Sequence, residues 1–299
     1  MKLAATLDQA YFAPAPAERL ATLRVLVGLF SVVYLAIRAP YFVRLFDQSP
    51  DRFAPIGLVS IFDGPLSPPV GHAVFAATFV AAVLFTLGVR HRVVGPVFAV
   101  LLTFLLTYRS SFGMIFHTEN LLVVHAWILG VTDAGAALAV GRRAAPPKAD
   151  GRFGWPVRLM MGVTVAAYFV AGLAKVNNAG WAWVSGEVLM GHVAFDSLRK
   201  LQVGSLASPI GAVLLRAPWI FGPLAVASLV LELGAPVFLL TGGLRRAWAI
   251  GVWCFHVGVL LIMFIFFPYP ISGVGLACFF RVEKLTAWSR ARRSRGTRS

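Results

Sequence analysis

Glu232, His256 and Lys175 are the side chains hardest to reconcile with their surroundings. Glu232 and His256 fall in the middle of long apolar runs, and Lys175 ends another. An ionisable residue within such a run costs about 2.5–3.5 kcal/mol on insertion scales, so each is a functional candidate by default. The turn between the runs holding Glu232 and His256 centres near residue 244, about twelve positions from each. Antiparallel helices would therefore bring the two to similar depth, where they could pair. Such a contact would hold the imidazole in one tautomer, as a structural bond between helices or as a proton relay. Lys175 shares a helix face with Tyr168 and Ala171 at i, i+3 and i+7, and Asn177, Asn178, Trp181 and Trp183 follow directly. An amine partly desolvated against tryptophans could act as a base, whereas a snorkelling amine would only anchor the helix at the interface. Further upstream, Phe116-His117-Thr118-Glu119-Asn120 opens another run. The spacing predicts His117 and Asn120 on one helix face, able to converge with Lys175 or to serve as helix-end hydrogen bonds. His125 is expected to bond to a neighbouring helix, and Arg24 to snorkel toward the inner boundary.

Other chemistries find no residues. HExxH, GxSxG and Walker A patterns are absent, as is a GxGxxG that feeds a helix after a strand. Cys254 and Cys278 each lie in an apolar run, form no CxxC and have no ligand spacing, so neither a disulfide nor a metal site is expected.

The elements that must position the candidates follow from composition. The 299 residues are 59% hydrophobic and only 13% charged, too apolar for a soluble chain with a charged shell. Runs of about 15–23 mostly apolar residues fall at 21–39, 70–88, 93–108, 114–132, 156–174, 219–241, 247–266 and 267–281. The expected fold is an all-α integral membrane protein, a bundle of about eight transmembrane helices. The last two runs meet at Phe267-Pro268-Tyr269-Pro270, where the prolines also allow a seven-span form with a re-entrant end. Residues 1–18 lack a compact basic segment before the first run, which therefore reads as a retained helix.

The net charge of +15 lies in short loops and in the tail from Arg281 to Ser299, a pattern of topology and anionic lipid rather than of nucleic acid. Arg90, Arg92, Arg142, Arg143, Lys148, Arg152, Arg245 and Arg246 fall on the side of that tail, which puts both termini in the cytoplasm. Two long outward loops, 40–69 and 176–218, carry acids and aromatics, and Val188–Leu201 reads as a short amphipathic helix at the surface. The chain reads as one membrane domain over 1–283 and a basic cytoplasmic tail over 284–299. The bilayer is its first partner.

The segment Tyr168-Phe169-Val170-Ala171-Gly172-Leu173-Ala174-Lys175-Val176, followed by Trp183 and Gly186, resembles the signature of the vitamin K-dependent gamma-carboxylase membrane domain. Bacterial relatives of that domain form the horizontally transferred transmembrane domain (HTTM) family. Phe255-His256, the His/Asn cluster at 117–120 and Asp133-Ala134 add to the resemblance, which extends from about residue 15 to 283. It implies a quinol-dependent oxygenase or carboxylase, with a reduced quinone of vitamin K or menaquinol type as cofactor and the chemistry on the outer face. Oxygenation of the quinol would generate the base that carboxylation needs. Lys175 falls on the lysine held to deprotonate the hydroquinone, with His117 or His256 assisting. Tyr168, Asn120, Asn178, Trp181, Trp183 and Glu232 would line the substrate site. The family's active-site histidine falls on or beside Thr118, one position from His117. A bacterial inner membrane is the expected location. The alternative is a non-catalytic membrane partner in the maturation or export of a secreted peptide, so the partner is either a lipophilic small molecule or such a peptide.

Overall fold

A computed structural model describes residues 9, 11–142, 145–239 and 242–285. All regular elements among the described residues are helices, with one isolated antiparallel bridge between Ala15 and Asp150. The described residues form two compact units, those up to 160 together with 281–285 and those from 161 to 280.

In the first unit, α1 (Ala17–Phe46), α2 (Pro68–Leu87), α3 (His91–Ser110) and α4 (Asn120–Gly130) pack in sequence, and α4 returns to α1. Proline at the first turn starts α2 and a left-handed Gly88 stops it, positions suited to a residue without a free N–H and one without a side chain. Leu29, Val33 and Ile37 form an exposed stripe on α1 at i, i+4 and i+8, while Ser31, Tyr34 and Arg24 on the same helix are buried. Apolar outside and polar inside inverts the soluble pattern and suits a lipid surround. Where α3 and α4 cross, a Cβ on Gly95 would stand 2.3 Å from the Gly130 carbonyl oxygen, so the two backbones touch.

The helix α5 (Gly151–Ala179) contains the unit boundary. The second unit continues through α6 (Trp181–Val184), α7 (Glu187–Gln202), α8 (Pro209–Leu214), α9 (Phe221–Leu233), α10 (Ala235–Phe238), α11 (Gly242–Met263) and α12 (Pro268–Ile271). Here α9 packs on α6 and α7, and α11 packs on α8, α9, α10 and α12. The helix expected over Val188–Leu201 is α7, one residue longer at each end.

Among the described residues, five helices, α1, α2, α3, α5 and α11, are long and apolar enough to cross a membrane. The remaining three expected spans are not long helices. In place of 114–132, irregular chain through Gly113 (φ 112°) leads to α4, whose 11 residues rise only about 17 Å. In place of 219–241, Gly234 and Pro236 interrupt the helix, because proline has no N–H to continue the ladder. The run 267–281 holds one short helix, α12, then a left-handed Gly273 and a 3-10 helix over Val274–Phe279. Hydropathy sees greasy residues; it does not see that Pro268, Pro270 and Gly273 deny them a continuous helix. Arg143, Leu240, Thr241 and the arginines of the tail from Arg290 onward lie outside the described residues.

Candidate functional site

Lys175 is one turn from the end of α5. Its amine donates to both carboxylate oxygens of Glu232, each at 2.5 Å. The Glu232 side chain is only 4% exposed and that of Lys175 20%, so this is an ion pair turned into the unit rather than a lysine reaching for headgroups. Two features let α9 come so near. Gly172 lies one turn before Lys175, where a Cβ would stand 2.9 Å from that of Glu232. The chain then reverses at Gly180 (φ 53°) into α6, which places the Trp183 ring 5.0 Å from the Lys175 amine. Phe255 of α11 presents its ring at 5.6 Å. Trp183 is itself fixed by its indole N–H, which donates to the Ser228 hydroxyl at 3.3 Å. Gly186 follows in a left-handed conformation (φ 86°), where a Cβ would lie 2.3 Å from the Gly222 nitrogen.

A second pair stands beside the first. Tyr168, two turns before Lys175 on α5, shares a hydrogen bond between its hydroxyl and His256 Nε2 at 2.7 Å. The His256 Nδ1 is buried without a hydrogen-bond partner. Phe267 and Phe255 enclose the imidazole, with ring centroids at 4.8 and 5.3 Å. Trp248 meets the Tyr168 ring edge-on at 5.5 Å, and its indole N–H donates to the Leu231 carbonyl at 2.8 Å. Lys175, Glu232, Tyr168, His256 and Trp183 thus form one cluster within the second unit. The Glu232–His256 contact expected from equal depth is replaced by two other pairs. A carboxylate in an apolar setting takes the full positive charge of an ammonium ahead of a neutral imidazole, and the tyrosine hydroxyl then serves the histidine.

The other candidates lie elsewhere. Asn178 is exposed and Trp181 is 88% exposed, both outside the cluster. His117 and Asn120 belong to the first unit. They share no helix face, because His117 lies in irregular chain and α4 begins only at Asn120. The cause is Glu119. Its carboxylate turns back to accept from Arg109 at 2.7 Å, from the Tyr34 hydroxyl at 2.8 Å and from the Thr118 hydroxyl at 2.5 Å. The Arg109 guanidinium also lies 4.3 Å from the Phe116 ring. This buried network was missed in the sequence, although opposite charges at 109 and 119 flanking a glycine loop signal it. Asn120 lines a cavity of about 360 Å³ beside Arg109, Phe116 and Glu119. His125 reaches the Met160 carbonyl at 3.4 Å. Arg24 does not snorkel; it is fully buried and donates to the Leu138 carbonyl at 2.6 Å.

Compared with known families, residues 12–283 match the family model described as the HTTM domain. No curated protein and no solved structure gives a significant match.

Proposed function

Because the chain belongs to the HTTM family, a family of membrane domains, we propose that its second unit is a quinol-dependent oxygenase or carboxylase site at the outer face of a bacterial inner membrane. The observation that carries the reading is the Lys175–Glu232 pair held against Trp183 and Phe255, beside the Tyr168–His256 pair. The ion pair is neutral as a whole. A hydroxyl that gives its proton to it leaves the pair with one positive charge, facing the oxyanion just formed. The faces of Trp183 and Phe255 stabilise that charge, since an aromatic quadrupole attracts a cation most strongly where water is excluded. Tyr168 orients His256, so that its Nδ1 meets a hydroxyl or oxyanion oxygen from a fixed direction.

The unpartnered His256 Nδ1 between aromatic rings suits a flat hydroxyaromatic molecule, so the residues fit a reduced quinone. Such a molecule, when bound, supplies the electrons that reduce dioxygen. His117 and Asn120 are not given a role in this reading. Oxygen uptake by the purified protein with menaquinol or vitamin K hydroquinone tests it. Wild-type uptake is expected to fall by about 10²–10⁴-fold in Lys175→Ala, the range for disrupting a positioned acid–base group. Equal rates, or no uptake with either quinol, remove the enzymatic reading and leave the chain as a non-catalytic partner in peptide maturation or export.

A further inference from the structure

The first unit holds a cavity of about 390 Å³ where α2 ends, α3 begins and the chain leaves α4. Arg90, Arg92, Arg142 and Arg152 line it. Asp133 is the one carboxylate among its described lining residues, and Arg152 already faces it at 3.7 Å. Four guanidinium groups around one carboxylate leave a strong positive excess.

Two further observations point the same way. Arg24, fully buried on α1, has its Nε and Nη1 without hydrogen-bond partners. Its Nη1 occupies the space that a Cβ on Gly88 would need, beside Ala139, and both of these residues line the cavity. The unsatisfied edge of a buried guanidinium therefore lies against the cavity floor. A charge in that position is expensive unless a counter-charge is near. The positive end of the 20-residue helix α3 also opens here, with no side-chain cap and no acid in its first turn. The negative end of α2 is by contrast partly closed, because Val89 donates to the Leu84 carbonyl and Val140 to that of Leu87.

We propose that this cavity binds a phosphate group. The exposed arginines grip its oxygens as bidentate forks, the first turn of α3 adds backbone N–H donors, and Arg24 supplies positive charge from behind. A carboxylate would satisfy one fork, whereas a phosphate offers oxygens to several. The phosphate belongs either to the headgroup of an anionic phospholipid or to a soluble phosphate compound. The site lies in the other unit from Lys175 and does not depend on the enzymatic reading.

The test uses the full-length protein, purified and stripped of lipid. Thermal melting is followed against inorganic phosphate at constant ionic strength, and retention of phosphatidylglycerol over phosphatidylcholine is counted by native mass spectrometry. Saturable binding is expected in at least one assay. The double variant Arg92→Gln/Arg142→Gln should weaken it at least about tenfold, as loss of charge-assisted bonds implies. Both arginines are exposed, so the melting temperature without ligand should not change. Arg24→Met should weaken binding as well; if it does not fold, the double variant decides alone. A response to inorganic phosphate assigns a soluble ligand, and phosphatidylglycerol retention without that response assigns a lipid. Absence of binding in both assays, or equal binding by wild type and the double variant, overturns the proposal.

Discussion

Lys175 and Glu232 stabilise each other at a depth where neither is tolerable alone. Removing one partner leaves a charge without compensation, so Lys175→Met and Glu232→Met should each destabilise the protein, toward the lower edge of about 3–5 kcal/mol because the lysine keeps some exposure. The double variant should recover most of that loss. Denaturation in detergent of the four proteins of this cycle measures the coupling, and additive losses would show that the pair is not a unit. Outside the spanning helices, Asp196 accepts from Arg199 at 2.8 Å and faces Lys200 at 2.7 Å. Burial alone would raise its carboxyl, but these cations outweigh that and hold it below the usual carboxylate range. A lowered folded value means that the stabilisation is complete above the unfolded value near 3.9 and is lost as pH falls through the lower folded one. The gap in melting temperature between wild type and Asp196→Asn should therefore be constant from pH 7 to about 5 and close below about 4.

At the scale of elements, the seams of this fold depend on residues with almost no side chain. Contact between α3 and α4 needs glycine at 95 and 130, and contact between α5 and α9 needs it at 172. Gly95→Leu places atoms where the Gly130 carbonyl already lies, and overpacking of this kind costs about 1–3 kcal/mol. Its melting temperature should drop, while Val97→Leu, on an exposed position of the same helix, should leave it unchanged. The small residues were visible in the chain, but nothing local showed which of them face a partner. Helix ends were legible in part: Pro68 and Gly88 delimit α2 within two residues of the expected run. The start of α4 was not, because Glu119 is recruited by Arg109 and Tyr34 through space and holds the preceding residues out of the helix.

For the whole molecule, the expected orientation rests on arginines and lysines gathered on one side of the spans. In a background of Cys254→Ser and Cys278→Ser, an impermeant maleimide applied to intact cells should label Asp63→Cys and not Arg142→Cys. Permeabilisation should expose the second. Labelling of Arg142→Cys in intact cells would reverse the expected orientation.

Composition and the long apolar runs determined that this is a helical membrane protein, since 59% hydrophobic residues with 13% charged leave no soluble surface to build. The sequence also marked Glu232, His256 and Lys175, because ionisable groups in or at the end of apolar runs are conspicuous one residue at a time, and it marked Tyr168 and Trp183 by their spacing to Lys175. It could not decide their partners. Whether Glu232 meets His256 or Lys175 depends on how closely α9 approaches α5 and on the turn that swings Trp183 back over the amine. Those are properties of packed backbones. Burial in a medium without water then makes the choice of partner a large energy difference, which only the tertiary structure resolves.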